Sequence, residues 1–149
     1  MDEIVLIEDS DSDARLVQRT LQLSGVYNPV RHYWTGQEAL TGLSAAEKRA
    51  NKGEGNVPGI LIIDLKLPDM TGYDILVWLQ SRKAYHGTLR LVLSQIEDIP
   101  SIKKAYALGA NSFLSKPASQ QDLDELIRVY PTHWMLQRRP ATLRPRSRI

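Results

Sequence analysis

The chain has 149 residues, 42% of them hydrophobic and 24% charged, the composition of one globular domain whose core can stand without disulfides or a structural metal. It has no cysteine, which excludes thiol catalysis, thiolate zinc sites and a cysteine redox switch. The formal charge of +2 hides an asymmetry: residues 1–130 carry 14 Lys and Arg against 17 Asp and Glu, whereas residues 131–149 carry five Arg and no acid.

From the start, Met1 to Glu8 shows no basic stretch leading into an apolar one, and the longest strongly apolar run, Ile60 to Ile63, is far too short to span a bilayer. A cytoplasmic protein with no membrane partner is expected. Ile4 to Ile7 is a continuous aliphatic run, as are Ile60 to Ile63 and Leu91 to Leu93. Runs that do not alternate mark strands buried on both faces of a parallel sheet. Ser12 to Leu23 sets Ala14, Val17 and Leu21 against Arg15, Gln18, Arg19 and Gln22, the spacing of an amphipathic helix. Val30, His32 and Trp34 alternate with more polar neighbours, as in an edge strand. A second helix begins at Gln37 and fades after Leu43 into a polar, Gly-containing loop, Lys48 to Asn56.

Thr71 to Gln80 reads as a third helix with Ile75, Leu76, Trp78 and Leu79 on its apolar face. Asp98 before Ile99-Pro100 is an N-cap for a fourth helix ending at Gly109, and Ser119 with Asp122 resembles a capping box opening a fifth. Strand and helix thus alternate five times, which calls for a doubly wound α/β fold with right-handed crossovers. Residues 1–130 form this domain; residues 131–149 are an extension, aromatic at first and then rich in Arg and Pro, expected to be mobile.

Ligands of such sheets bind beyond the carboxyl ends of the strands. Those ends carry Glu8-Asp9, Asp64, Ser94 and Lys116-Pro117. Gathered carboxylates repel one another and raise their own pKa values unless a cation neutralises them. An all-oxygen set with open positions suits Mg²⁺. A carboxylate beside Mg²⁺, with a lysine and a hydroxyl for the remaining oxygens, is a site for phosphoryl transfer by positioning and charge neutralisation. The three histidines, His32, His86 and His133, show no ligand spacing. Trp34 and Trp78 read as core or half-buried packing, and Trp134 as a cap on the core, the alternative being an anchor for a partner chain.

Over residues 3 to about 130 the sequence resembles the receiver domains of two-component response regulators. The resemblance rests on Glu8-Asp9; on Asp64 with Pro68 and Gly72 four and eight positions later; on Ser94; and on Phe113 three positions before Lys116-Pro117. It implies a flavodoxin-like (βα)5 fold with strand order 2-1-3-4-5. Asp64 is then the phosphoacceptor, and Glu8, Asp9, Asp64 and the backbone carbonyl of Lys66 hold Mg²⁺. Ser94 and Lys116 engage the phosphoryl group, a cis Lys116–Pro117 peptide aims the lysine inward, and Phe113 is the switch aromatic moving with Ser94. The donor implied is a sensor histidine kinase. The chain is expected to modify itself and lose the group by hydrolysis, rather than turn over a substrate.

The polar loop before the third strand and the aromatic extension Tyr130-Pro131-Thr132-His133-Trp134 resemble stand-alone regulators that partner phytochrome kinases. Three departures bear on the phosphorylated state's lifetime. Gln95 follows Ser94 where a smaller residue is commoner, Lys66 adds a cation at the mouth of the site, and Phe113 lacks a tyrosine's hydroxyl. No DNA-binding domain is expected after Tyr130, nor a nucleic-acid partner, so output runs through protein contacts. Tyr106, Leu108 and Trp134 near the expected signalling face favour a homodimer. The alternative is a phosphorylation-independent adaptor with the same fold.

Overall fold

The computed structural model describes residues 2–96 and 98–137. Five strands, β1 (Ile4–Ile7), β2 (Val30–Tyr33), β3 (Ile60–Asp64), β4 (Leu89–Ser94) and β5 (Ser112–Ser115), alternate with α1 (Asp11–Leu23), α2 (Gly36–Asn51), α3 (Gly72–Gln80), α4 (Ile99–Ala107) and α5 (Gln120–Val129). All four strand pairings are parallel, in the order β2-β1-β3-β4-β5, with Ile4 opposite both Val30 and Ile60. Every residue of β1, β3 and β4 is buried, whereas β2 and β5, at the edges, are partly exposed. The continuous aliphatic runs are therefore the central strands, as expected of a parallel sheet covered on both faces.

Alternate residues of these strands feed two cores. Ile4, Leu6, Ile60, Ile62 and Leu91 meet Val17 and Leu21 of α1 and Leu123 and Leu126 of α5. Val5, Ile7, Leu61, Ile63 and Val92 meet Leu43 of α2, Ile75 and Leu79 of α3, and Ala105 of α4. Side-chain caps begin each helix: Ser10, Thr35, Thr71, Asp98 and Ser119 each accept a backbone N–H from three residues on, with full capping boxes at Thr35, Thr71 and Ser119.

Three expectations need correction. The polar stretch from Lys48 is not loop at its start: α2 runs on to Asn51, and the chain turns after it through Gly53 at φ 74°. Lys48 and Arg49 suit a last helical turn, where cations meet the partial negative charge of unpaired carbonyls. Trp134 does cap a core, being 6% exposed, but it lies on the α1–α5 side. It therefore does not join Tyr106, which is exposed on α4, or Leu108, which packs against the opposite core. Trp34 is 44% exposed rather than packed inside, with its ring stacked on His32 and its indole N–H donated to Asp11 at 2.6 Å.

Beyond α5 the chain doubles back along the segment before β2. Leu136 bridges Val26 in antiparallel fashion, Tyr27 N–H donates to Met135 O at 2.8 Å, and Gln137 N–H donates to Gly25 O at 2.7 Å. The Asn28 side chain ties both ends of this contact, donating to Asp2 O and His133 O and accepting from Met135 N–H. The Arg-rich stretch expected to be mobile, residues 138–149, lies outside the described residues.

Candidate phosphoryl-acceptor site

Parallel strands place their carboxyl ends on one rim, and the residues just past those ends converge there. Glu8 continues the β1–β2 pairing through its N–H to Tyr33 O at 3.0 Å, which turns its side chain inward. Asp64 ends β3 and Ser94 ends β4. The Lys116 N–H donates to Ser94 O at 2.9 Å, and the Lys116–Pro117 peptide is cis. Glu8, Asp64 and Ser94 are all buried, while Asp9, Lys66 and Gln95 stand exposed around them.

The ammonium of Lys116 is the hub. Its Nζ lies 2.5 Å from Glu8 Oε1, 3.1 Å from Asp13 Oδ2 and 3.2 Å from Asp64 Oδ2. The remaining carboxylate oxygens are held by backbone: Ser10 N–H donates to Glu8 Oε2 at 3.0 Å and Lys66 N–H to Asp64 Oδ1 at 3.3 Å. Ser94 Oγ accepts the Ile96 N–H at 3.0 Å, which leaves its own proton to donate.

Burial dominates the ionisation of this cluster. It pushes the Glu8 carboxyl up to about 7, against the opposing pull of Lys116. Asp64 is likewise raised by burial, more than Lys116 and the Lys66 N–H lower it. Burial alone would lower Lys116, but the hydrogen bond it donates to Glu8 and the charge of Asp64 outweigh it, so the ammonium is held more firmly than usual. One lysine thus leaves the buried carboxylate pair short of positive charge.

Oxygens of Glu8, Asp9 and Asp64 lie within 4.8 Å of one another. An oxygen-only set of this charge fits a hard divalent cation such as Mg²⁺. Gln95 and Lys66 line the mouth of the same cavity, together with Ile96 and Asp13. Phe113 lies two residues before the carboxyl end of β5, half-buried against the α2–α4 core, with its N–H donating to the Tyr106 hydroxyl at 3.1 Å.

The loop after Asp64 explains the spacing to Pro68 and Gly72. It closes on itself through a Lys66–Thr71 bridge and through Gly72 N–H to Leu65 O at 2.9 Å. A Cβ at Gly72 would sit 2.6 Å from the Asp64 backbone oxygen, so only glycine lets α3 start this close to the acceptor. Two residues of the site were not singled out in the sequence. Asp69 accepts the Gly36 and Gln37 N–H groups at 2.9 and 2.8 Å, which fastens the loop to the start of α2. Asp13 reaches Lys116 from the first turn of α1. Its position three residues after Ser10 reads simply as a helix-start acid, so its second partner left no local signal.

Comparison with known proteins follows the same lines. The family model described as response regulator receiver domain matches residues 4–128. The chain is 26% identical over 133 residues to the probable methanogenesis regulatory protein FilR2 of Methanothrix harundinacea, covering 89% of this chain and 83% of that protein. It is 25% identical over 132 residues to response regulator Rcp1 of Synechocystis, covering 89% and 88%. The Mn²⁺-bound form of Rcp1 matches with a TM-score of 0.70 at 24% identity, over 93% of this chain and 100% of that one. The bacteriophytochrome response regulator AtBRR matches with a TM-score of 0.75 at 25% identity, over 93% and 99%.

Proposed function

As the chain belongs to the response regulator receiver domain family, we propose that it accepts a phosphoryl group on Asp64 from the phosphohistidine of a sensor kinase and signals by protein contact. The observation that carries this reading is a buried carboxylate at a strand end, Asp64, set 3.2 Å from a lysine ammonium and beside two further carboxylates. A core acid with no task would have no reason to gather like charges around it.

An Asp64 carboxylate oxygen forms the new bond to phosphorus as the phosphorus–nitrogen bond of the donor breaks, and the bond electrons leave with the imidazole. Glu8, Asp9, Asp64 and the Lys66 carbonyl would hold Mg²⁺, which would supply charge neutralisation for the incoming phosphoryl oxygens. Lys116 lies close enough to Asp64 to pair with a second oxygen, and the Ser94 hydroxyl is free to donate to a third. Water later attacks the phosphorus, releasing inorganic phosphate and restoring the carboxylate. Phosphorylation adds about two negative charges at a rim that is already acidic. Drawing Ser94 toward them alters the end of β4, whose Val92 pairs with Phe113 on β5, and the α4–β5–α5 surface carries the output. Gln95 and Lys66, at the mouth, modulate access of the donor and of water.

The likeness to AtBRR, described as a bacteriophytochrome response regulator, over nearly its whole length supports a phytochrome-type kinase as the donor. Among the described residues no helix is long and apolar enough to cross a membrane, in keeping with a cytoplasmic site of action. Ile99 and Tyr106, 67% and 46% exposed on α4, are apolar surface for a homodimer.

Intact mass after incubation with Mg²⁺ and acetyl phosphate tests the chemistry. A gain of about 80 Da, one phosphoryl group, is expected in the wild type and absent without Mg²⁺ or in Asp64→Asn. Light scattering on the same samples reads any change of assembly. No adduct under conditions that label another receiver domain would favour the phosphorylation-independent adaptor instead.

A further inference from the structure

Lys116 has three ammonium protons and three carboxylate partners, and one of those partners belongs to neither the metal set nor the phosphoacceptor. Asp13 Oδ2 lies 3.1 Å from Nζ and lines the same cavity as Glu8, Asp9, Asp64 and Ser94. Its backbone N–H already serves the Ser10 cap at 3.2 Å, so the helix start does not need its side chain. The Asp13 side chain is about one-third exposed, whereas that of Lys116 is only 10% exposed. The ion pair is therefore a bridge from the α1 surface to the buried hub.

We propose that Asp13 is a positioning residue that holds a share of the Lys116 charge away from Glu8 and Asp64, and so keeps that pair open to a divalent cation and Asp64 reactive. This deepens the phosphoacceptor reading and rests on it. An ammonium shared three ways neutralises each carboxylate less than one shared two ways. If Asp13 lost its charge, Lys116 would settle on Glu8 and Asp64. Two effects of the same sign follow at the metal site: one anion fewer in its neighbourhood, and a stronger internal counter-ion competing with the cation. Asp13 touches neither the metal set nor the acceptor, and acts only through the lysine.

The test compares wild type with Asp13→Asn, Asp13→Glu and Asp11→Asn, first for Mg²⁺ affinity by titration calorimetry, then for Asp64 labelling by acetyl phosphate at saturating Mg²⁺. Asp11 also sits in the first turn of α1, but its carboxylate bonds the Trp34 indole, so it reports loss of a helix-start charge alone. Asp13→Asn is expected to weaken Mg²⁺ about fivefold, the scale of one unit charge acting through a partly solvated site, and to slow labelling at saturation. Asp13→Glu should recover both, and Asp11→Asn should stay within about twofold of wild type. Circular dichroism checks that each variant is folded. Equal Mg²⁺ affinity in Asp13→Asn and wild type overturns the proposal, as does an equal loss in Asp11→Asn. A wild type that binds Mg²⁺ but takes no phosphoryl group removes the phosphoacceptor reading and the labelling role of Asp13, while the affinity ratio still decides whether Asp13 opens the cation site.

Discussion

Glu8 gives this protein an unusual response to pH. Its carboxyl has an ordinary value of 4.5 but is held near 7 when folded, because burial penalises its charge. Between those two values the folded chain keeps a proton that the unfolded chain has lost, so stability falls as pH rises through the window. Asp64, raised for the same reason, adds to the slope. Lys116 is raised too, but it changes charge far above this range and leaves the window unaltered. Metal-free protein should therefore resist urea better at pH 5 than at pH 7.5, and Glu8→Gln should flatten most of that difference. Added Mg²⁺ should reverse the trend, since it binds the ionised carboxylates. Glu8, Asp9, Asp64, Ser94 and Lys116 could all be placed from sequence because each stands at or just past the carboxyl end of a strand and parallel strands bring such ends together. Asp13 could not, since its partner lies 103 positions away and only the fold makes them neighbours.

Elements were legible where periodicity and caps agreed, and less so where exposure mimicked a loop. The starts of α4 and α5 follow the caps at Asp98 and Ser119 as read. The end of α2 did not, because after Leu43 the helix carries only alanine as apolar residue to mark its inner face, although cations there favour a helix terminus. The same helix should show its dependence on its own cap: Thr35→Ala is expected to cost about 1 kcal/mol in chemical unfolding. A harsher outcome is expected at the junction of β3 and α3. Gly72→Ala would put a methyl 2.6 Å from the Asp64 backbone oxygen, which has nowhere to yield. Such overpacking typically costs about 1–3 kcal/mol. It should also slow Asp64 labelling, because the loop bearing Lys66 must shift with it.

At the scale of the whole molecule, the stretch after α5 is part of the domain's packing. Trp134 is buried in the α1–α5 core, and residues 135–137 pair with the segment before β2. Trp134→Ala should lower stability by about 3–5 kcal/mol, as large aromatic truncations in cores do. Trp34→Ala, at an exposed ring, should cost about 1 kcal/mol or less. Urea titration separates the two. The parallel sheet with two covered faces follows from three aliphatic runs, whereas the strand order came only with the resemblance to receiver domains; Trp134 docks as the core cap it was read to be, although one aromatic beyond a helix can also serve a partner.

The pairing of Gln137 with Gly25 also fixes Gln137 at one pole of the sheet. Gly25 precedes β2, so this point lies at the amino ends of the parallel strands, opposite the Glu8–Asp64–Lys116 rim. A biotin for a sensor chip or a fluorescent reporter attached at Gln137 itself would leave from the rear pole. A kinase would then find the acceptor face turned outward and unobstructed on an immobilised sample.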